Sequence, residues 1–476
     1  MSKLYKDILY LILIELKNDE KTLVSCLSVN KTWFEIIIPI LWKNPWKYLK
    51  KGKEKILLNV IISHLSDKSK YNLKRQCNNF SMNTYQKPIY NYIYFCKHLN
   101  FDVITMMINT IDEKSEIPII KNEIFKLFIN GNTKFTHLHI PYQFNYQIHL
   151  IPRAKSCFSE LEFLKCNTRI DDNVLFGIIE ICKSIRKLEL FIEVSKNNYG
   201  FVKLIENFKN LFNVRLLTHK NPKFIDKLFH EILENSLIKH ANTLQYFKIT
   251  EQPITNILSS LRNLKILEME DYNIHFFIKW RRLWNISLIS LPFLQILRAK
   301  YIQIKILTSL IENTNGFLTE INIDKIFHQE INNKKIIRAI YQNCPNLKYL
   351  KLLFKISNVL ELNKLLLTCQ YLNGLYIIYE ENSRDLFKIL IKSSPIGLYK
   401  FKFDRFFSHI SFNVETLKLF FDGWKGRHPM LLQFAKRKKK KYIDELIEKY
   451  KAEGIIEKFD YLCGFEDFEW REKRFN

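Results

Sequence analysis

Cys344-Pro345-Asn346-Leu347-Lys348-Tyr349-Leu350-Lys351-Leu352 is echoed 25 residues later by Cys369-Gln370-Tyr371-Leu372-Asn373-Gly374-Leu375-Tyr376-Ile377. Each stretch carries the order apolar-x-x-apolar-x-apolar. The last two apolar residues are two apart, the spacing that puts side chains on one face of a strand. Working outward in both directions, the same order begins at Phe135, Leu161, Ile185, Leu211, Leu244, Leu264, Leu294, Leu318, Leu347, Leu372 and Leu398. Eleven copies at an average of about 26 residues are a repeat architecture, in which each unit buries its apolar side against its neighbours. The intervals run from 20 to 33 residues, so the repeats are irregular.

The segments between these strands have helical spacing. Asp171-Asp172 stands where a cap is needed before Val174, Leu175, Ile178, Ile179 and Cys182. Ile336, Ile337 and Ile340 form a similar face, as do Leu362, Leu365, Leu366 and Cys369. The period and the strand pattern are those of leucine-rich repeats. Cys182, Cys344 and Cys369 each precede the first strand position by three residues, and in this the array resembles cysteine-containing leucine-rich repeats. These cysteines are read as core residues, not nucleophiles.

In such a strand the residues between the apolar positions face the concave side. Basic residues there are Lys165, Lys187, Arg215, Lys248, Arg298, Lys300, Lys351, Lys400 and Lys402. Acidic ones are Glu189, Glu268, Glu270, Glu320, Asp324 and Asp404, so the face is mixed in sign. Phe163, Phe191, Tyr246, Tyr349 and Tyr376 add aromatic anchors of the kind that protein interfaces favour. The substrate-binding set expected from this pattern is Phe163, Lys165, Phe191, Arg215, Tyr246, Lys248, Glu268, Arg298, Tyr349, Lys351 and Tyr376.

Residues 1–46 differ from the array. Leu4, Ile8, Leu9, Ile12, Leu13 and Leu16 trace one helix face, and Leu23, Cys26, Leu27 and Val29 a second. Asn30-Lys31-Thr32-Trp33 and Pro39-Ile40-Leu41-Trp42 follow. A unit this small leaves apolar surface for a partner or for the rest of the chain. The Leu23-x-x-Cys26-Leu27-x-Val29-Asn30-Lys31-x-Trp33 run, with Leu41-Trp42 after it, resembles an F-box of the fungal type. The proline that usually opens its first helix is absent; Tyr5-Lys6-Asp7 stands there. What the resemblance implies is docking on the Skp adaptor and, through it, on a cullin–RING (SCF) ubiquitin ligase. The adaptor contacts would come from Leu4, Ile8, Leu9, Ile12, Leu13, Leu27, Val29, Trp33, Pro39, Ile40, Leu41 and Trp42. Spacing alone does not separate those that face a partner from those that hold the helices together.

The expected fold class is therefore α/β. A three-helix F-box covers 1–46 and a helical connector 47–130, with its hinge at Lys50 to Lys55 and a loop-rich Ser66 to Pro88. An irregular leucine-rich-repeat solenoid covers 131–425, with a parallel concave sheet and outer helices. A basic run and a capping helix cover 426–476.

Composition narrows the function. The chain has 476 residues, 47% apolar and 26% charged, with only 11 glycines and 12 prolines, as in a folded protein without long linkers. The longest apolar runs, Ile8 to Ile14 and Ile36 to Trp42, are too short to span a bilayer, and no secretory signal opens the chain. A cytoplasmic or nuclear protein is expected. The net charge of +26 invites a polyanion partner, yet Lys, Asn, Ile, Phe and Tyr share AT-rich codons, so a low-GC gene accounts for it as well. Nine cysteines without a C-x-x-C pair point to reduced thiols and no zinc site. His137 and His139 flank Leu138 without a third ligand at metal spacing, and no phosphate loop or hydrolase motif occurs. No metal, cofactor or catalytic residue is expected. Lys436 to Lys441 is read as a solvated run, with nuclear import the alternative, before a helix carrying Tyr442, Ile443, Leu446, Ile447 and Tyr450. Two rivals to the ligase reading stay open: a repeat scaffold capped by its N-terminal helices, and a basic nucleic-acid-binding solenoid.

Overall fold

The structure is a computed structural model, which describes residues 5–17, 19–77, 88–219, 226–271, 289–324, 328–379, 384–405, 414–435 and 441–462. The chain divides into two compact units. The first comprises residues 1–219 and 224–236, the second residues 220–223 and 237–476.

The first unit opens with three helices, α1 (Lys6–Glu15), α2 (Glu20–Cys26) and α3 (Lys31–Trp42). Asp19 caps α2 by accepting from the Thr22 amide at 3.1 Å, and Asn30 caps α3 by accepting from the Trp33 amide at 3.0 Å. Further helices follow at Glu54–Ser63, Asp67–Gln76, Phe101–Ile108 and Ile117–Phe128. The second of these departs from expectation: Asp67–Gln76 is helical inside the segment read as loop-rich. Ser66 explains it, accepting from the Ser69 amide at 3.1 Å as an N-cap. Five strands, β1 (His98–Asn100), β2 (His137–His139), β3 (Phe163–Asn167), β4 (Lys187–Ile192) and β5 (Asn213–Thr218), pair in parallel and in sequence order.

Among the described residues the second unit holds nine strands. They are β6 (Tyr246–Ile249), β7 (Ile266–Glu270), β8 (Ile296–Lys300), β9 (Glu320–Asp324), β10 (Tyr349–Phe354), β11 (Gly374–Tyr379), β12 (Lys400–Arg405), β13 (Met430–Ala435) and β14 (Ile456–Leu462). These too pair in parallel and in sequence order. A parallel pair needs a crossing connection, and helices supply it. Ile304–Glu312, Glu330–Asn343, Val359–Thr368, Arg384–Ser393 and Val414–Gly423 pack against one another in order.

All eleven sequence repeats form strands, and the first, fourth and sixth position of every copy is buried. The reason is alternation: in β7 and β8 buried and half-buried residues exchange one for one along the strand. The repeat cysteines take the same core. Cys344 and Cys369 are fully buried, and the Cys369 thiol approaches the Cys344 carbonyl oxygen at 3.6 Å. Asp171 caps its helix as its position required, accepting from the Asn173 amide at 2.8 Å.

The strands outnumber the repeats. β1 lies within the segment expected to be a helical connector, and Ile89 to Leu99 forms only a short 3-10 turn before it, Tyr92–Phe95. β1 is no shorter than β2 and sits in the same order, Cys96, Leu99 and Phe101 all being buried, but its copy opens on a cysteine inside a stretch with helical spacing. β13 and β14 lie in the segment expected to hold only a basic run and a capping helix. The helix is present at Lys441–Ala452, but β14 follows it, so it does not close the array. Met430, Leu432 and Phe434 alternate without the leading apolar residue of the other copies, which hid β13 from the pattern.

Candidate interaction surfaces

The N-terminal unit closes on Leu9, Leu13, Leu23 and Ile37, with Leu16, Cys26, Leu27, Trp33, Ile36, Ile40 and Leu41 packed around them. Helix α1 is apolar from Ile8 to Ile14, on every side, and a helix can bury only one side here. The remainder is left in solvent: Ile8 is 49% exposed, Leu11 62%, Ile12 48%, and Val29 beyond α2 56%. Tyr5, Tyr10 and Val24 are exposed with them.

This divides the expected adaptor contacts. Ile8, Ile12 and Val29 are outside and available. Leu9 and Leu13 are interior, a correction forced by their burial at 3% and 0%; they hold the unit together and cannot also be its contact surface. Leu27, Trp33, Pro39, Ile40 and Leu41 are half-buried. Trp42 is occupied within the chain, its ring stacked on Tyr92 with centroids 5.0 Å apart. Leu4 lies outside the described residues. Tyr5, Leu11 and Val24 were missed, although the unbroken apolar run of α1 signalled a second face.

The same unit is fastened to the sheet edge. The Lys43 carbonyl accepts from the Lys97 and His98 amides at 3.0 and 3.2 Å, and the Trp46 indole donates to the His98 carbonyl at 2.6 Å.

The inner face of β1–β5 is a row of rings beside a few charges. His98 and His137 stack with centroids 3.8 Å apart, and Phe163 lies 5.2 Å from His137 and 5.5 Å from His139. Phe191 meets His219 edge-on at 4.6 Å. Glu189 is bracketed by Lys165 at 2.8 Å and Arg215 at 3.3 Å. Burial alone would raise its carboxyl, but these two cations hold it below the ordinary value. Burial, with neighbouring cations, pushes the imidazoles down: His98 to about 3, His137 and His139 each to about 4. All three are neutral at pH 7.

The inner face of β6–β9 is a ladder of opposite charges. Glu268 takes Lys248 at 3.4 Å and Arg298, which continues to Glu320 at 2.9 Å; Lys300 meets Glu270. Arg298 and Lys248 hold the Glu268 carboxyl below its ordinary value against the opposite push of burial. Tyr246 and Tyr349 are half-buried, and the Lys400 ammonium stands 5.5 Å from the Tyr349 ring.

Lys351 and Tyr376 depart from the exposed positions expected of them. They are 2% and 3% exposed. The Lys351 ammonium pairs with Asp324 at 3.1 Å and lies 4.5 Å over the Tyr376 ring, while Lys402 lies 4.8 Å over it. Attraction to a ring face lets ammonium groups be buried at this depth. Gln433 of β13, which sequence patterning did not reach, is fully buried, and neither end of its amide finds a hydrogen-bond partner among the described residues.

Among the described residues no group of three histidine, cysteine or acidic side chains is placed to hold a metal, and no helix is long and apolar enough to cross a membrane. Of the basic run, Lys436 to Lys440 lie outside the described residues. No protein-family model matches the chain, and no curated protein matches it either.

Proposed function

We propose that the chain is the substrate-recognition subunit of an SCF-type ubiquitin ligase, with α1–α3 as an F-box docking on the Skp adaptor and the strand repeats, read as leucine-rich repeats, holding a protein substrate. The observation that carries the reading is the second apolar face of α1, where Ile8, Leu11 and Ile12 stay exposed beside a closed local core. Exposed apolar residues clustered on a closed unit fit a partner surface. The chain supplies recognition, and ubiquitin transfer belongs to the partner subunits. The paired charges and aromatic residues of the inner faces suit a protein ligand better than a polyanion, which needs unpaired cations along its whole track.

Capture of the Skp adaptor by the full-length chain tests the proposal, beside a variant carrying Ile12→Asp and Val29→Asp. Both positions are outside the core, so the variant should keep its melting temperature while losing capture. No capture by the intact chain sinks the ligase reading. The attachment of Lys43 and Trp46 to β1 favours the rival in that event: a repeat scaffold whose first helices cap the sheet.

A further inference from the structure

The turns that lead into the strands of the second unit carry apolar side chains at their tips. In the four sequence repeats of the first unit, the residue just before the leading apolar position is Lys134, Glu160, Ser184 or Asn210. In the second unit it is Phe293 before Leu294, Phe317 before Leu318 and Tyr371 before Leu372, and all three rings are exposed. One turn further on, Pro395-Ile396-Gly397 brings Ile396 to the tip, 96% exposed. Local geometry forces this. The Leu294, Leu372 and Leu398 amides each donate to the carbonyl three residues back, on Leu291, Cys369 and Pro395, at 3.1 Å. A chain closed in this way turns its middle residues outward while the leading leucine is buried.

Neighbouring turns are tied together at strand spacing. The Thr319 amide donates to the Gln295 carbonyl at 2.8 Å, the Lys348 amide to Thr319 at 2.8 Å and the Asn373 amide to Lys348 at 2.9 Å. Between Phe317 and Tyr371 the Asn346 side chain spans the gap, donating to the Gly316 carbonyl at 3.1 Å. The Phe293 and Phe317 ring centroids are 6.1 Å apart. The result is a row of protruding apolar side chains along one edge of the sheet of the second unit. Basic residues accompany it. Arg262, Lys265, Lys348 and Lys392 are exposed at these turns or at the helix ends that feed them, and none makes an ion pair among the described residues. The carboxylates at the ends of these helices are Glu312, Asp422 and Glu453, and Lys425 takes up the last two at 3.0 and 3.3 Å.

We propose that this edge seats on the surface of an anionic phospholipid bilayer, with Phe293, Phe317, Tyr371 and Ile396 entering the boundary between headgroups and acyl chains and the unpaired cations facing the lipid charges. Charge complementarity decides the occupant: an apolar row flanked by unpaired lysine and arginine matches a surface that is negative above and apolar beneath. Phenylalanine and tyrosine rings suit that boundary, where one end of a side chain is in lipid and the other in water. The tips protrude singly, and a fluid surface closes around each of them, where a protein partner needs a matching row of recesses. The attachment is peripheral and goes beyond the proposed function: it uses the turns of the second unit, and neither α1–α3 nor the inner faces.

The test is co-sedimentation of the full chain with large vesicles, made of phosphatidylcholine alone or with about one third phosphatidylserine, at about 0.15 M salt. The intact chain should bind the anionic vesicles at least about tenfold more tightly than the neutral ones. Phe293→Ser, Phe317→Ser, Tyr371→Ser and Ile396→Ser together should lower anionic-vesicle binding about tenfold or more at an unchanged melting temperature, because all four side chains are outside the core. Arg262→Gln, Lys348→Gln and Lys392→Gln together should narrow the gap between the two kinds of vesicle. No sedimentation with anionic vesicles overturns the proposal. So does equal sedimentation of the serine variant, which would mean attraction of a basic chain without insertion. Light scattering that shows the intact chain as a dimer and the serine variant as a monomer also overturns it, assigning the row to a second copy. The Ile12→Asp and Val29→Asp variant should sediment as the intact chain does; its failure would assign the binding to α1 instead. Adaptor capture is read through Ile12 and Val29 and vesicle binding through the turns, so either proposal can fail while the other stands.

Discussion

Glu189 in the first unit and Glu268 in the second are the same device in different surroundings. Each carboxylate sits between two cations on neighbouring strands, and each is held ionised against its own burial. Around Glu189 the ladder stops: the next residues in register are His139 on one side and, one step along, the ring row of His137 and Phe163. Around Glu268 it continues through Arg298 to Glu320. Alternating charge in register neutralises itself and yields a rigid surface. A row that lacks the alternation leaves cations for a ligand. The sign of a whole face says less about its partner than which of its charges lack one within the sheet.

The sharpest way to break this comparison is to remove both carboxylates in turn. Glu268→Ala leaves Lys248 without its partner and Arg298 with one of two, in a setting where Arg298 is mostly covered; a loss of about 3 kcal/mol is expected. Glu189→Ala takes one partner from Lys165 and one from Arg215, which are 48% and 41% exposed and can turn to water, so about 1 kcal/mol is expected. Hydrogen exchange, read separately on β7–β8 and on β3–β5, measures the two costs without assuming that the chain unfolds in one step. Equal losses would show that the longer ladder contributes nothing beyond its pairs.

Acid should sharpen the difference from the other side. His98, His137 and His139 titrate in the folded first unit at about 3, 4 and 4, against an ordinary 6.5. Above pH 6.5 neither the folded nor the unfolded chain binds these protons, and the stability is fully present. Below 6.5 the unfolded chain takes them up and the folded unit does not, so stability falls with pH until His137 and His139 also protonate in the folded unit at about 4 and His98 at about 3. The slope is at most about 1.4 kcal/mol per pH unit for each histidine, and less here because all three rings are partly open to water. Protection of the β1–β4 amides should drop between pH 7 and pH 5. Unchanged protection across that range would mean that the imidazoles are better solvated than their packing indicates.

How far such features could be read in advance depended on the length of the signal. Eleven strands were legible because each repeats three buried positions, and one copy corroborates the next. β1 was not, because its copy of the order, Cys96, Leu99 and Phe101, opens on a cysteine inside a stretch with helical spacing, and neither was β13, whose alternation of Met430, Leu432 and Phe434 lacks the leading apolar residue. At the candidate site, residue identity was legible and depth was not. Ile8 and Leu9 are adjacent and chemically alike, yet one faces solvent and the other closes the core, because α1 is apolar all round and only packing selects a side. Lys351 reads as a surface residue by every compositional rule; it is buried because Asp324 and the Tyr376 ring both lie within its reach. The histidine row needed β1, which places His98 against His137.

Gln433 gives the smallest effect and one of opposite sign. It stands in register between Lys402 and Asp460, fully buried, with both ends of its amide unbonded among the described residues. In the first unit the comparable buried amide, Asn197, is bonded throughout: its oxygen accepts from the Thr168 hydroxyl at 2.5 Å, and its nitrogen donates to the Glu193 carbonyl at 3.0 Å. An unpaired buried amide costs free energy that an apolar group of similar size does not. Gln433→Leu should therefore stabilise the second unit by about 1 kcal/mol, whereas Asn197→Leu should destabilise the first by about 2 kcal/mol through the partners it strands. The pair is measured by the exchange of β12–β13 amides in one variant and β3–β4 amides in the other. A loss in both would mean that Gln433 is bonded in solution, through water, and that the two units satisfy their buried polar groups equally well.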